Sequence, residues 1–198
     1  MAYSHVTGAK GDAGKLNLVE RICLGVLLLV IGFVLLNSPL FSVRVVRVEG
    51  NERVASKEIT GAARIPQGEN IFRVDLKGAA ARVRQLPGVK EVTVERRLPA
   101  EVRIRVRERE PVALVPGKDG FYALDEAGVC IGRADASSPL PVVTGAGWAP
   151  APGKRITSGG YQIAAQVLRA FAPGLKARLA EVHVTSHRVM ELFTGDGV

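Results

Sequence analysis

The sequence predicts an α+β protein held to a bilayer by one N-terminal helix, and three observations carry that expectation. Ile22 to Leu36 form a run of 15 residues with no charge and no strong hydrogen-bonding side chain. Lys90 to Val106 alternate apolar and charged residues with period two, the pattern of a half-buried antiparallel hairpin. Between these stretches lie two short segments with apolar residues at i, i+3 and i+4, the spacing of helices that cover one side of a sheet. At 198 residues the chain has room for one or two modest domains rather than a large enzyme. Its net charge of +8 comes mainly from residues 41–110, which hold 16 basic and 10 acidic side chains.

Taken in order, residues 1–20 read as a polar tail and 21–40 as the transmembrane segment. Fifteen helical residues rise only about 22 Å, so Leu18, Val19, Leu40 and Phe41 are expected to help at the interfaces while Arg21 reaches outward. Ile22, Leu27, Leu28, Leu29, Ile31, Phe33 and Leu35 are the candidate anchor residues. A buried core helix and the centre of a cleaved signal peptide compete with this reading. The first rarely lacks a polar face for four turns, and the exit Leu36-Asn37-Ser38-Pro39 offers no small-residue cleavage site. Lys10, Lys15 and Arg21 before the span balance Arg44, Arg47 and Arg53 after it, so charge leaves the orientation open. A short tail is easier to leave in the cytoplasm than a long domain, which favours the larger part outside.

Residues 41–110 then read as a strand, two helices and two strands. Phe41 to Asn51 is a β-branched run ended by the turn pair Gly50-Asn51. Ser56 is expected to cap a short helix carrying Ile59, Ala62 and Ala63, stopped at Pro66-Gln67-Gly68. Asp75 opens a second helix with the stripe Leu76, Ala79, Ala80, Val83 and Leu86, ended by Pro87-Gly88. The hairpin places Val92, Val94, Val102, Ile104 and Val106 against these helices and turns at Leu98-Pro99-Ala100.

Five stretches in this segment occur in a telling order: V-x-V-E-G-N (Val46 to Asn51), G-E-N-I-F (Gly68 to Phe72), L-P-G-V-K-E-V (Leu86 to Val92), V-E-R-R-L-P (Val94 to Pro99) and V-R-E-R-E-P-V-A (Val106 to Ala113). Together they make the chain resemble the FtsQ/DivIB family of bacterial cell-division proteins, whose POTRA domain follows a single membrane span. The resemblance implies a β-α-α-β-β POTRA fold and a non-enzymatic protein of the cytoplasmic (inner) membrane at the division septum, with its N-terminus cytoplasmic. It further implies a link between early and late division components, through small coiled-coil partners of the FtsB/FtsL type.

Residues 111–198 are expected to form a second α+β domain of antiparallel strands with one main helix. Phe121 to Ile131 reads as two strands around Asp125-Glu126-Ala127-Gly128, and Leu140 to Gly145 as another strand. This Y-x-x-D-x-x-G, L-P-x-x-x-G order also resembles the family's β-rich domain. A helix opened near Ser158 carries Tyr161, Ala164, Ala165, Leu168 and Phe171, and Glu181 to Val184 and Arg188 to Phe193 read as strands. Asp196-Gly197 signals a hairpin turn with no strand after it, so the sequence is expected to be C-terminally truncated.

The sequence carries none of the common catalytic signatures. The histidines, His5, His183 and His187, fall in no metal-ligand spacing, and no Walker loop, G-x-S-x-G or C-x-x-C occurs. Asp125 and Glu126 read as solvated turn carboxylates. No cofactor, nucleic acid or small-molecule substrate is expected. The candidate partner surface is the arginine row Arg103, Arg105, Arg107 and Arg109 with Arg96 and Arg97, read either as a solvated strand face paired with Glu95, Glu101 and Glu108 or as a contact for membrane lipid or wall polymer. Without interleaved aromatics it does not suit nucleic acid. An alternative for the whole chain is a POTRA-type scaffold in polypeptide export or outer-membrane assembly; an anchored wall hydrolase is a third.

Overall fold

The computed structural model describes residues 17–135, 137–145, 149–157, 159–170, 179–186 and 189–194. Helix α1 spans Leu18–Leu36, and none of its 19 residues is buried against the rest of the protein. A core helix is thereby excluded as its role. Glu20 steadies the first turn by accepting the Asn17 backbone N–H at 2.8 Å, as an acidic group near a helix N-terminus should. The helix ends where Asn37 folds its side chain back onto the Phe33 carbonyl at 2.8 Å. Pro39 then starts a single 3-10 turn, Pro39–Phe41.

A three-stranded sheet follows, made of β1 (Val45–Glu49), β2 (Val89–Arg97) and β3 (Glu101–Glu108) in the order β1-β3-β2. β3 is central, parallel to β1 and antiparallel to β2. Helices α2 (Ser56–Ala63) and α3 (Leu76–Arg84) lie on one side, where Ile59, Ala63, Ala79 and Val83 pack with Val89, Val92, Ile104 and Val106. Val43, Ile71, Val74 and Val102 form a second cluster toward α1. Each fully buried Val or Ile contributes about 1.5–3 kcal/mol relative to exposure, so the expected period-two alternation is what holds this domain together.

The cap of α3 matches expectation: Asp75 accepts the Gly78 N–H at 2.9 Å. α2 differs, because its cap position is Ala55 and Ser56 is already helical. Ser56 instead accepts the Asn51 amide at 3.0 Å. Gly50 is required by its backbone: its φ is 82° and an added Cβ would lie 2.3 Å from the Val106 carbonyl oxygen. Glu108, at the end of β3, grips the turn that follows β1, accepting N–H groups of Glu52 at 2.9 Å, Arg53 at 2.9 Å and Val54 at 2.8 Å.

Among the described residues the second sheet has six strands: β4 (Pro111–Gly117), β5 (Gly120–Asp125), β6 (Cys130–Ala134), β7 (Val142–Gly145), β8 (Leu179–Ser186) and β9 (Val189–Thr194). Their order is β6-β5-β4-β7-β8-β9. Helix α4 (Gly159–Ala170) sets Tyr161, Ala164, Ala165 and Leu168 against Val115, Leu124, Val143 and Val182. The α+β class and single main helix are as expected. In detail the strands are not all antiparallel, since β4–β7 and β7–β8 run parallel. The connection from β7 to β8 carries α4, and a helical crossover returns the chain in the same direction. Ser158, Phe171, His5, His187 and the Asp196-Gly197 turn lie outside the described residues.

Candidate interaction surfaces

Because side chains alternate across a strand, register decides where each arginine of the β2–β3 hairpin points. Arg103, Arg105 and Arg107 stand on the side of β3 away from α2 and α3, opposite Glu95, Thr93 and Glu91 on β2. On the β1 side, Arg103 and Arg105 stand opposite Arg47 and Glu49. Carboxylates therefore interleave with the cations. Arg103 reaches Glu49 at 3.2 Å and Glu101 at 3.3 Å; Arg105 reaches Glu49 at 3.2 Å and Glu95 at 3.8 Å; Arg107 pairs with Glu91; Arg47 reaches Glu101 at 3.7 Å. The open face is a lattice of ion pairs, close to charge balance. Each exposed pair is worth little alone, typically below about 1 kcal/mol, but together they mask the row's positive field.

Two members of the predicted set are placed elsewhere. Arg96 is in register with Val102, so it projects on the helix side rather than with the row. There it donates to the carbonyls of Ile71 at 2.7 Å and Val74 at 2.9 Å, tying down the loop before α3. Arg109, beyond the end of β3, donates to Asp125 at 2.6 Å. Arg97, in register with Glu101, is exposed at the turn end of the hairpin.

The reading of Asp125 as a solvated turn carboxylate is corrected. It is only 2% exposed. One oxygen takes Arg109, and the other accepts the N–H groups of Ala127 at 2.9 Å and Val129 at 2.8 Å. Its backbone carbonyl receives the Tyr161 hydroxyl at 3.0 Å, a phenol whose ionisation burial, and then the nearby Asp125, push upward. The buried Asp125 thus ties the β5–β6 turn and the end of the first domain through its carboxylate, and α4 through its backbone carbonyl. Glu126 does face solvent and pairs with Lys90 at 2.9 Å; that bond and the lysine's charge hold its carboxyl below the ordinary value. Lys90, Arg107, Glu110, Val112, Asp125 and Glu126 line a shallow polar cleft between the two sheets. Within it Lys90 and Glu126 pair with each other, and Asp125 is held by Arg109.

Glu108 shares this cleft. Burial alone would raise its carboxyl, but the N–H groups of Val54, Arg53 and Glu52, with the Arg53 charge, more than reverse that and hold it low. Cys130 is pushed up by burial, which removes it as a reactive thiolate at neutral pH. Among the described residues no group of His, Cys, Asp and Glu gathers in a metal-binding arrangement.

The predicted anchor residues all lie on α1: Ile22, Leu27, Leu28, Leu29, Ile31, Phe33 and Leu35. The helix is long and apolar enough to cross a membrane. What sequence reasoning missed is its seating. Asn70 donates to the Leu36 carbonyl at 2.6 Å, and Arg73 to the Asn37 side-chain oxygen at 2.9 Å. The Phe41 and Phe72 rings meet with centroids 5.4 Å apart. Asn70 and Phe72 belong to the G-E-N-I-F stretch, a motif visible in the sequence whose physical role was not.

Residues 41–109 match the family model for the FtsQ-type POTRA domain, and residues 113–198 match that for the C-terminal part of the cell division protein FtsQ/DivIB. The chain is similar to the cell division protein FtsQ of Mycobacteroides abscessus, with 31% identity over 194 residues, 96% of this chain and 61% of that protein. The cell division protein FtsQ of an Anaeromyxobacter species is 30% identical over 81% of this chain and 56% of its own length. The cell division protein DivIB of Clostridium acetobutylicum is 29% identical over 48% of this chain and 39% of its length. The chain thus spans less than two thirds of each of these relatives.

Proposed function

Because the chain belongs to the FtsQ/DivIB family of bacterial cell-division proteins, we propose that it is a non-enzymatic, single-pass membrane protein that joins early and late division components at the septum. The observation that carries this reading is one exposed apolar helix leading directly into a POTRA-type domain and then a β-rich domain, in the order in which the two family matches fall. The helix fixes depth and raises the local concentration of the domains for partners in the same membrane. Sheet edges and side-chain faces then supply the contacts. The partners are other division membrane proteins, of the small coiled-coil FtsB/FtsL type. Residues before α1 lie in the cytoplasm and those beyond Phe41 outside the cytoplasmic membrane, since a short tail is easier to retain than a long domain.

The Arg109–Asp125 bond and the Lys90–Glu126 pair support a mechanical element in this reading, because they brace the β-rich domain against the domain fixed to the helix. A partner bound to one domain therefore has a defined height above the bilayer.

The test is an N-terminal fluorescent fusion of the full-length protein in dividing cells. Midcell bands are expected. Uniform peripheral signal in dividing cells would overturn the division assignment. Protease added to spheroplasts should degrade the chain beyond Phe41, and protection of that part would reverse the orientation.

A further inference from the structure

The end of the POTRA domain nearest α1 is assembled from four separate stretches. They are the helix exit Leu36 to Phe41, the lead into β1, the 70–74 loop and the turn Leu98-Pro99-Ala100. Their backbones are joined: Val43 N–H donates to Glu69, Ile71 N–H to Phe41, and Arg44 N–H to Ala100, at 2.8, 2.8 and 2.9 Å. Together with the Asn70 and Arg73 bonds to Leu36 and Asn37, they make α1 a braced strut rather than a tether. This end cannot move far from the plane in which α1 leaves the bilayer.

Its surface has an unusual composition for this molecule. Outside α1 the described residues expose six large apolar side chains, and four of them, Leu40, Val45, Phe72 and Leu98, lie here, with Phe72 44% and Leu98 59% exposed. Around them stand Arg44, Arg73 and Arg97, all exposed and, among the described residues, in no ion pair. The arginines of the open sheet face, by contrast, are held by Glu49, Glu91, Glu95 and Glu101. Two carboxylates lie near this end: Glu69 beside the loop, and Glu101, in register with Arg97 but held by Arg47 and Arg103.

Length supplies the remaining step. Nineteen helical residues rise about 28 Å against a hydrocarbon core of about 30 Å. A span slightly too short draws its flanking residues into the interface. That places Leu40, Phe72 and Leu98 at headgroup depth, where aromatic and apolar tips with arginine neighbours are the residues an interface accepts. The three unpaired cations lie within a Debye length of the lipid surface, where anionic headgroups attract them.

We propose that this end of the POTRA domain is a bilayer-docking surface: Phe72 and Leu98 insert beside α1 while Arg44, Arg73 and Arg97 bind phosphate groups of anionic lipid. The domain is thereby held in one pose on the membrane. The proposal rests on α1 being membrane-embedded, and the experiment separates the two.

Full chain carrying Trp148→Phe is reconstituted in vesicles of anionic and zwitterionic lipid, with and without brominated acyl chains. Single tryptophans are introduced in place of Leu28 within α1, Leu98 at the docking end and Phe121 on the second domain. Brominated lipid should quench the tryptophan at 28 most and that at 98 strongly, with blue-shifted emission, and leave that at 121 unquenched. Adding Arg44→Gln and Arg97→Gln, which leave the Arg73–Asn37 brace in place, should reduce quenching at 98 in anionic vesicles while leaving it unchanged at 28. If 28 is quenched but 98 is quenched no more than 121, the docking proposal is overturned and the anchor stands. If 28 itself is not quenched, the anchor reading fails. Shielding of 98 that appears only when a second division membrane protein is present would make this end a protein interface and overturn the proposal.

Discussion

Two groups of arginines in this protein carry the same charge and differ in their surroundings. On the open face of the three-stranded sheet, Arg103, Arg105 and Arg107 stand among carboxylates of both neighbouring strands and of their own. At the end next to α1, Arg44, Arg73 and Arg97 have no carboxylate partner among the described residues and adjoin exposed Phe72 and Leu98. A cation count along the chain singles out the first group, but the field available to an external anion comes from the second. Partnered charge is spent within the fold, and unpartnered charge projects outward.

The comparison stands on the sidedness of β3, so the largest test attacks that. Ile104 is fully buried beneath α2 and α3. Ile104→Asp should cost about 4 kcal/mol, because it places an unpaired carboxylate in the apolar layer; the urea midpoint of the full chain in detergent would fall sharply. A shift no larger than that of Arg105→Gln would show the two sides to be misassigned.

A smaller effect is expected at Glu108, which ends the same strand and binds three turn N–H groups. Glu108→Gln should cost about 1–2 kcal/mol near neutral pH by weakening charge-assisted bonds. Since its folded carboxyl is held below the ordinary value of 4.5, the stabilisation is present above that value and is lost as pH falls through the lower folded one. Unfolding curves of wild type and variant should therefore converge on acidification. A gap independent of pH would assign the loss to packing.

The smallest effects separate the two arginine groups directly. Arg105→Gln leaves Glu49 and Glu95 without a shared cation and should cost about 0.5–1 kcal/mol, less at high salt. Arg97→Gln should fall within about 0.5 kcal/mol of wild type. Equal, salt-sensitive losses at both positions would erase the distinction.

Much of this was legible before any tertiary contact was known. The apolar run announced α1, the valine and isoleucine alternation gave the β2–β3 hairpin with its buried side, and Asp75 announced the start of α3; these signals are local, set by chain period and by caps within a few residues. Parallel pairing of β7 with β4 and β8 was not legible, because no local pattern records the direction in which a strand returns after intervening elements, β5 and β6 in one case and α4 in the other. Arg96 was placed with the wrong side, although it lies two residues beyond Val94 and the same period-two alternation sets both on the helix side, as its pairing with Val102 shows. Asp125 looked solvated because its neighbours in sequence are turn residues; its burial comes from Arg109 and Tyr161, 16 and 36 positions away.

The sequence alone therefore determined what each segment is made for: a rod that avoids water, strands with one apolar side, and a family order of motifs. Tertiary structure decided which charges remain available and how the rod is fixed to the domain. The reason is physical: periodicity is written into consecutive residues, whereas ion pairing and bracing depend on distances between groups that only folding brings within a few ångströms.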